Sequence, residues 1–110
     1  MAKWDVGIRG YTVRLERRSS VEFKLMIGKK FFGKVIGKGG VLSRAGLEQV
    51  VGKLRDPGAD SDIGLSLGGK ALRIYPAGAG RRLEMDGNSI ELTAQEVQQL
   101  IAAAEAALEE

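Results

Sequence analysis

The chain has 110 residues, 44% apolar and 28% charged, enough for one hydrophobic core and not for two. It contains neither cysteine nor histidine, which excludes a disulfide framework, a thiolate metal site and the commonest general base. The net charge of +3 hides an asymmetry: residues 1–55 hold 13 Lys and Arg against 4 Asp and Glu, whereas residues 56–110 hold 4 against 10.

In chain order, the first third alternates apolar and polar residues with the period of half-buried strands. Trp4, Val6 and Ile8 alternate with Lys3, Asp5 and Arg9; Tyr11, Val13 and Leu15 alternate with Thr12, Arg14 and Glu16. Val21, Phe23, Leu25 and Ile27 form a third inward row. Gly10, Ser19-Ser20 and Gly28-Lys29 read as turns between these strands, and a fourth strand is expected over about 30–36. The period then changes. Leu47, Val50, Val51 and Leu54 fall at helical spacing, with Ser43 as N-cap and Leu42 and Leu47 as a hydrophobic staple. Asp56-Pro57-Gly58 ends this helix.

The second half repeats the plan more compactly. Strands near 63–67 and 70–75 flank Gly68-Gly69, and strands near 81–85 and 89–92 flank Asp86-Gly87, both hairpin signals. "AGAG" (Ala77 to Gly80) reads as a turn. Thr93 caps the last helix, Glu96 completes a capping box, and Val97, Leu100, Ile101, Ala104 and Leu108 make one apolar stripe.

Two segments resemble earlier ones. "DVGI" (Asp5 to Ile8) returns as "DIGL" (Asp62 to Leu65), and "VLSRAGLEQVV" (Val41 to Val51) returns as "ELTAQEVQQLI" (Glu91 to Ile101). The first copy carries about seven extra residues in its loops or strands. The expected fold is α+β: two tandem ββββα repeats, about 3–56 and 61–109, within a single domain over 1–110.

Strand parity then gathers cations. Lys3, Arg9, Arg14, Arg18 and Lys24 are expected on the outer face of the first sheet. Lys30, Phe32 and Lys34 share one side of its fourth strand, with Lys38 beyond. Cations that track phosphates beside a ring for stacking are what a single-strand binder needs. In the second unit Arg73, Tyr75 and Arg82 would extend the track, against Glu84 and Asp86. Gly37-Lys38-Gly39-Gly40 fits the GXXG pattern of the KH module. A KH loop joins two helices, however, and the residues before this one read as strand. As a glycine-rich loop it would still offer backbone N–H groups to a phosphate.

Duplicated units of this length resemble the whirly and Pur-alpha superfamily of single-stranded nucleic-acid-binding proteins, whose transcriptional-coactivator relatives carry one unit and dimerise. "IELTAQEVQQLIAAAEAAL" (Ile90 to Leu108) is similar in style to the last strand and helix of those coactivators. The "KGKAAL" string of plant whirly proteins is not present, and the units are shorter than typical Pur repeats. The resemblance implies binding of single strands across a curved sheet.

Asp56, Asp60 and Asp62 form an acidic group without the spacing of a calcium loop, and a polar linker accounts for them. With no assembled acid–base set, a binding role without catalysis, cofactor or metal is expected. No apolar run approaches the roughly 18 residues of a membrane span, and the first residues lack a signal peptide's apolar stretch, so a cytoplasmic or nucleoid setting is expected. Exposed strand edges favour a homo-oligomer. The alternative function is a protein-interaction or assembly module, of mobile-element or phage type, whose basic face meets an acidic protein.

Overall fold

The computed structural model describes residues 2–65 and 70–109. Eight strands and two helices follow in the order β1 (Lys3–Ile8), β2 (Tyr11–Arg17), β3 (Glu22–Phe31), β4 (Lys34–Ser43), α1 (Arg44–Arg55), β5 (Ser61–Gly64), β6 (Ala71–Ala77), β7 (Gly80–Met85), β8 (Asn88–Leu92) and α2 (Ala94–Glu109). Two antiparallel meanders result, β1-β2-β3-β4 and β5-β6-β7-β8, each followed by its helix. The fold is therefore α+β with two ββββα units.

Period-two alternation builds each sheet with one apolar face. Val6, Val13 and Ile27 stand directly opposite one another across β1, β2 and β3, as do Ile74, Leu83 and Ile90 across β6, β7 and β8. These rows and the apolar stripes of both helices fill one continuous core. The helices are shared: α1 packs on β3 and β4 of its own sheet and on β5 and β6 of the other, while α2 packs on β1 and β2 as well as on β7 and β8.

Helix boundaries follow from capping. The Ser43 hydroxyl accepts the Gly46 N–H at 3.0 Å. Thr93 does more: its hydroxyl accepts the Glu96 N–H at 3.2 Å, and its own N–H donates to the Glu96 carboxylate at 2.8 Å. At its far end α2 needs help, since no Lys or Arg follows Arg82 in the sequence. The first unit supplies it: Arg17 donates to the Ala107 carbonyl at 2.7 Å, and Arg44 donates to that of Leu108. Cations at a helix C-terminus satisfy orphan carbonyls and oppose the macrodipole.

Several boundaries differ from the sequence expectation. Gly28-Lys29 is no turn; β3 runs through it to Phe31. The turn lies at Phe32-Gly33, so Lys30 belongs to β3, and β4 extends to Ser43. Gly37-Lys38-Gly39-Gly40 is strand rather than loop, opposed by Gly28, Ile27, Met26 and Leu25. Val21, expected inside, is exposed; it precedes β3 in the bend at Ser19-Ser20, where its N–H donates to Ser19 Oγ. The expected turn at Gly68-Gly69 lies outside the described residues.

The extra length of the first unit sits in one place. The β3–β4 hairpin runs from Glu22 to Ser43, and its counterpart β7–β8 only from Gly80 to Leu92.

Candidate nucleic-acid interface

Arg14 reveals the shape of that long hairpin. In the ladder it is level with Asp5 on one side and Met26 on the other. Yet its Nη1 donates to the carbonyl of Gly33, at the hairpin tip, at 2.8 Å. In a flat sheet the tip would lie about 23 Å farther along, at roughly 3.3 Å per residue, far beyond an arginine's reach. The hairpin must fold back over the outer face of its own sheet.

Gly28 and Gly37 permit the bend. They oppose each other in the ladder, and a Cβ on Gly28 would fall 2.1 Å from the Ile36 carbonyl oxygen, one on Gly37 2.1 Å from that of Ile27. Only glycine allows backbones this close. Under the arch, Arg14 is 6% exposed and makes a two-pronged pair with Asp5, Nε to Oδ1 at 2.7 Å and Nη2 to Oδ2 at 2.9 Å. Lys30 adds a bond to Asp5 Oδ2 at 3.0 Å. The Arg14 hydrogen bond, more than that of Lys30, holds the Asp5 carboxyl down at about 2 against the opposing effect of burial; Asp5 in turn raises Arg14.

The hairpin ends in an aromatic tip. Phe32 and Gly33 take φ of 49° and 79°, the left-handed pair of a tight hairpin turn. Arg9-Gly10 and Asp86-Gly87 repeat this geometry. Aspartate is at home there; phenylalanine is not. The Phe32 side chain is fully exposed, Phe31 is 56% exposed, and their ring centroids lie 6.3 Å apart. Ile36 is also exposed, and Lys29 Nζ stands 5.6 Å from the ring centroid of Tyr11.

The nine residues singled out from sequence therefore do not form one flat wall. Lys3, Arg14, Lys24 and Lys30 do share the outer side in the register. Arg14 lies beneath the arch, with its guanidinium committed to Asp5 and Gly33. Lys34 opposes Phe31 and Lys38 opposes Ile27, which puts both on the opposite side of the ladder. Lys38 reaches Asp86 of the second unit, 3.5 Å away. Phe32 is at the tip, on neither sheet face. Arg9 lies in the β1–β2 turn, where it donates to the Glu91 carbonyl at 2.6 Å and ties the units together. Arg18 follows β2 and stands 3.9 Å from Glu22.

Two groups remain open to a ligand. One is the tip with Phe31, Phe32, Lys29 and Lys34, all exposed, beside Lys30, which is exposed but bonded to Asp5. The other is a groove of about 430 Å³ beside β4, lined by Arg18, Lys24, Met26, Gly39, Val41 and Lys70. Lys24 and Lys34 make no ion pair among the described residues. Lys70 and Lys38 share Asp86, and the hydrogen bond from Lys70 lowers that carboxyl. Phe31 was missed from sequence because two adjacent rings on a flat strand point opposite ways; at a turn both reach solvent.

Among the described residues, the second sheet offers no such surface. Its outer row, Asp62, Arg73, Glu84 and Ser89, alternates in charge. Arg73 is bonded to Asp60 through two contacts of 3.1 Å and stacks 4.2 Å from the Tyr75 ring centroid; Arg82 meets Glu91. Among the described residues, no helix is long and apolar enough to cross a membrane. Comparison with known proteins gives no match to any family model, curated protein or solved structure.

Proposed function

We propose that this protein binds single-stranded nucleic acid through the folded-back β3–β4 arm. The observation that carries the proposal is the aromatic tip. Two adjacent phenylalanines stand in solvent among Lys29, Lys30 and Lys34, one of them in a backbone conformation that phenylalanine disfavours. Exposed rings and local strain both oppose folding and are retained where a ligand uses them. Unpaired bases would stack on Phe31 and Phe32, and phosphates would be met by Lys30 and Lys34 and by Arg18 and Lys24 of the groove. Backbone contacts carry no sequence information, so binding would be salt-sensitive and weakly selective among sequences. The reading also draws on the expected whirly and Pur-alpha resemblance, which rests on the order of elements alone. The reading needs no cofactor and no chemistry.

Fluorescence anisotropy with labelled single-stranded DNA or RNA, duplex and heparin, at low and high salt, tests it. The expected order places the single strand first, with a steep salt dependence. Replacing Lys30, Phe32 and Lys34 by alanine should weaken single-strand binding at least about tenfold with the fold intact. Unchanged affinity removes the arm from the interface. Equal, feeble binding of all three ligands favours an acidic protein partner, for which Tyr11 and Ile36, both exposed beside Lys29, would supply apolar contacts.

A further inference from the structure

Arg81 points into the protein. It lies opposite Leu92 in the β7–β8 ladder, on the apolar side of the sheet, and is 6% exposed. Its Nη1 donates to the Gly80 carbonyl at 2.9 Å, but its Nε has no hydrogen-bond partner among the described residues. No carboxylate among them pairs with it. A buried guanidinium without a counter-charge is costly, and folding alone does not select it.

The duplication supplies an internal control. Leu42 precedes the N-cap Ser43, and Leu92 precedes the N-cap Thr93. Phe23 opposes Leu42 as Arg81 opposes Leu92. Arg81 thus occupies the place of Phe23, a fully buried core ring. The architecture accepts an apolar side chain here; the second unit has a cation instead.

Beside Arg81 is a cavity of about 180 Å³ whose lining includes Arg55, Pro57, Ala79, Ala94 and Val97. Pro57, Ala79 and Ala94 are exposed and leave an entrance. Ala94 and Val97 belong to the first turn of α2, whose dipole is positive at this end; Thr93 already accepts from the Glu96 and Val97 amides, which leaves those of Ala94 and Gln95 without an intrahelical acceptor. The carboxylates nearby are occupied: Glu105 pairs with Arg55, and Glu96 bonds to Thr93 with Arg9 at 3.6 Å.

We propose that this cavity is a binding site for a small oxyanion of phosphate type. The anion supplies the counter-charge that Arg81 lacks and accepts from the start of α2. The proposal is independent of the nucleic-acid reading.

Thermal melts of the full chain test it, with inorganic phosphate set against sodium chloride at equal ionic strength. Phosphate should raise the midpoint by several degrees beyond chloride. Arg81→Phe, which restores the side chain of the first unit, should fold and lose that increment. No increment in the wild type, or an equal one in the variant, overturns the site. If the variant does not fold, an NMR titration of the wild type decides: the Arg81 Nε–H resonance should shift saturably with phosphate, and an unmoved resonance overturns the proposal. A 5′-phosphorylated oligonucleotide that displaces phosphate where its 5′-hydroxyl counterpart does not assigns the anion to a strand end; displacement by neither assigns it to a free anion.

Discussion

Asp5 and Arg14 in the first unit correspond to Asp62 and Arg73 in the second: each aspartate sits directly across the ladder from its arginine. The outcomes differ. Arg14 is buried, bonded twice to Asp5 and once to Gly33, and it holds an arch in place. Arg73 is exposed, turns to Asp60 instead, and lies on Tyr75. The same pairing of charges pins an arm in one sheet and only decorates the surface of the other. What separates them is the length of the hairpin beyond, ten residues per strand in β3 and β4 against six and five in β7 and β8. A long hairpin that folds back removes water from the pair, and the loss of water makes the pair matter.

The contrast can be broken at its hinge. Gly28→Val or Gly37→Val drives a side chain into the opposing backbone and should lose about 4 kcal/mol or more in thermal or urea unfolding. Gly64→Ala on β5, where a Cβ meets nothing within 4 Å among the described residues, should leave the melting midpoint unchanged. Next comes the pair itself. Asp5→Ala strands Arg14 beneath the arch and should cost about 3 kcal/mol, somewhat less than a wholly enclosed pair because Asp5 keeps some contact with water. Asp60→Ala should have no measurable effect on stability.

Acid separates the two units in the same way. The Asp5 carboxyl is held down at about 2, below its unfolded value, so its stabilising effect is complete above that unfolded value. It fades as pH falls from about 4 towards 2, by roughly 1 kcal/mol once solvent screening is allowed for. Asp5→Asn should flatten this limb of the unfolding curve; a limb that persists assigns it to other carboxylates. The smallest test compares the caps. Thr93→Ala removes a reciprocal box and should cost about 1 kcal/mol, and Ser43→Ala, a single bond, less.

Much of this was legible in the chain because the two units share one grammar. Both helices begin after a leucine and a hydroxyl cap, and both first strands carry Asp before a buried aliphatic residue. Alternation placed the inward rows correctly except at their ends, where Tyr11 and Val21 are exposed. It failed where glycine has two meanings. Gly28 next to Lys29 reads as a turn, whereas opposite Gly37 it is a hinge inside a continuous strand. Which meaning applies depends on a partner nine positions away, outside any local window. Phe32-Gly33 was hidden for the opposite reason: a left-handed phenylalanine is rare enough that local rules do not favour it. Only the fourth-strand part of the expected basic wall followed from that misplaced turn, since parity counted across a false boundary puts Lys30 and Lys34 on one strand. Arg81 was overlooked because arginine at an inward position is normally read as an error of register, and only the comparison with Phe23 marks it as a substitution.

The shared helices bear on how such a chain can be divided. Each sheet rests on a helix contributed in part by the other half, and Arg17 and Arg44 reach across to close α2. Cleavage near Pro57-Gly58 would therefore yield two fragments that are each unstructured in isolation and regain order only when mixed. The same interdependence makes unfolding a single step, with no half-melted species to populate.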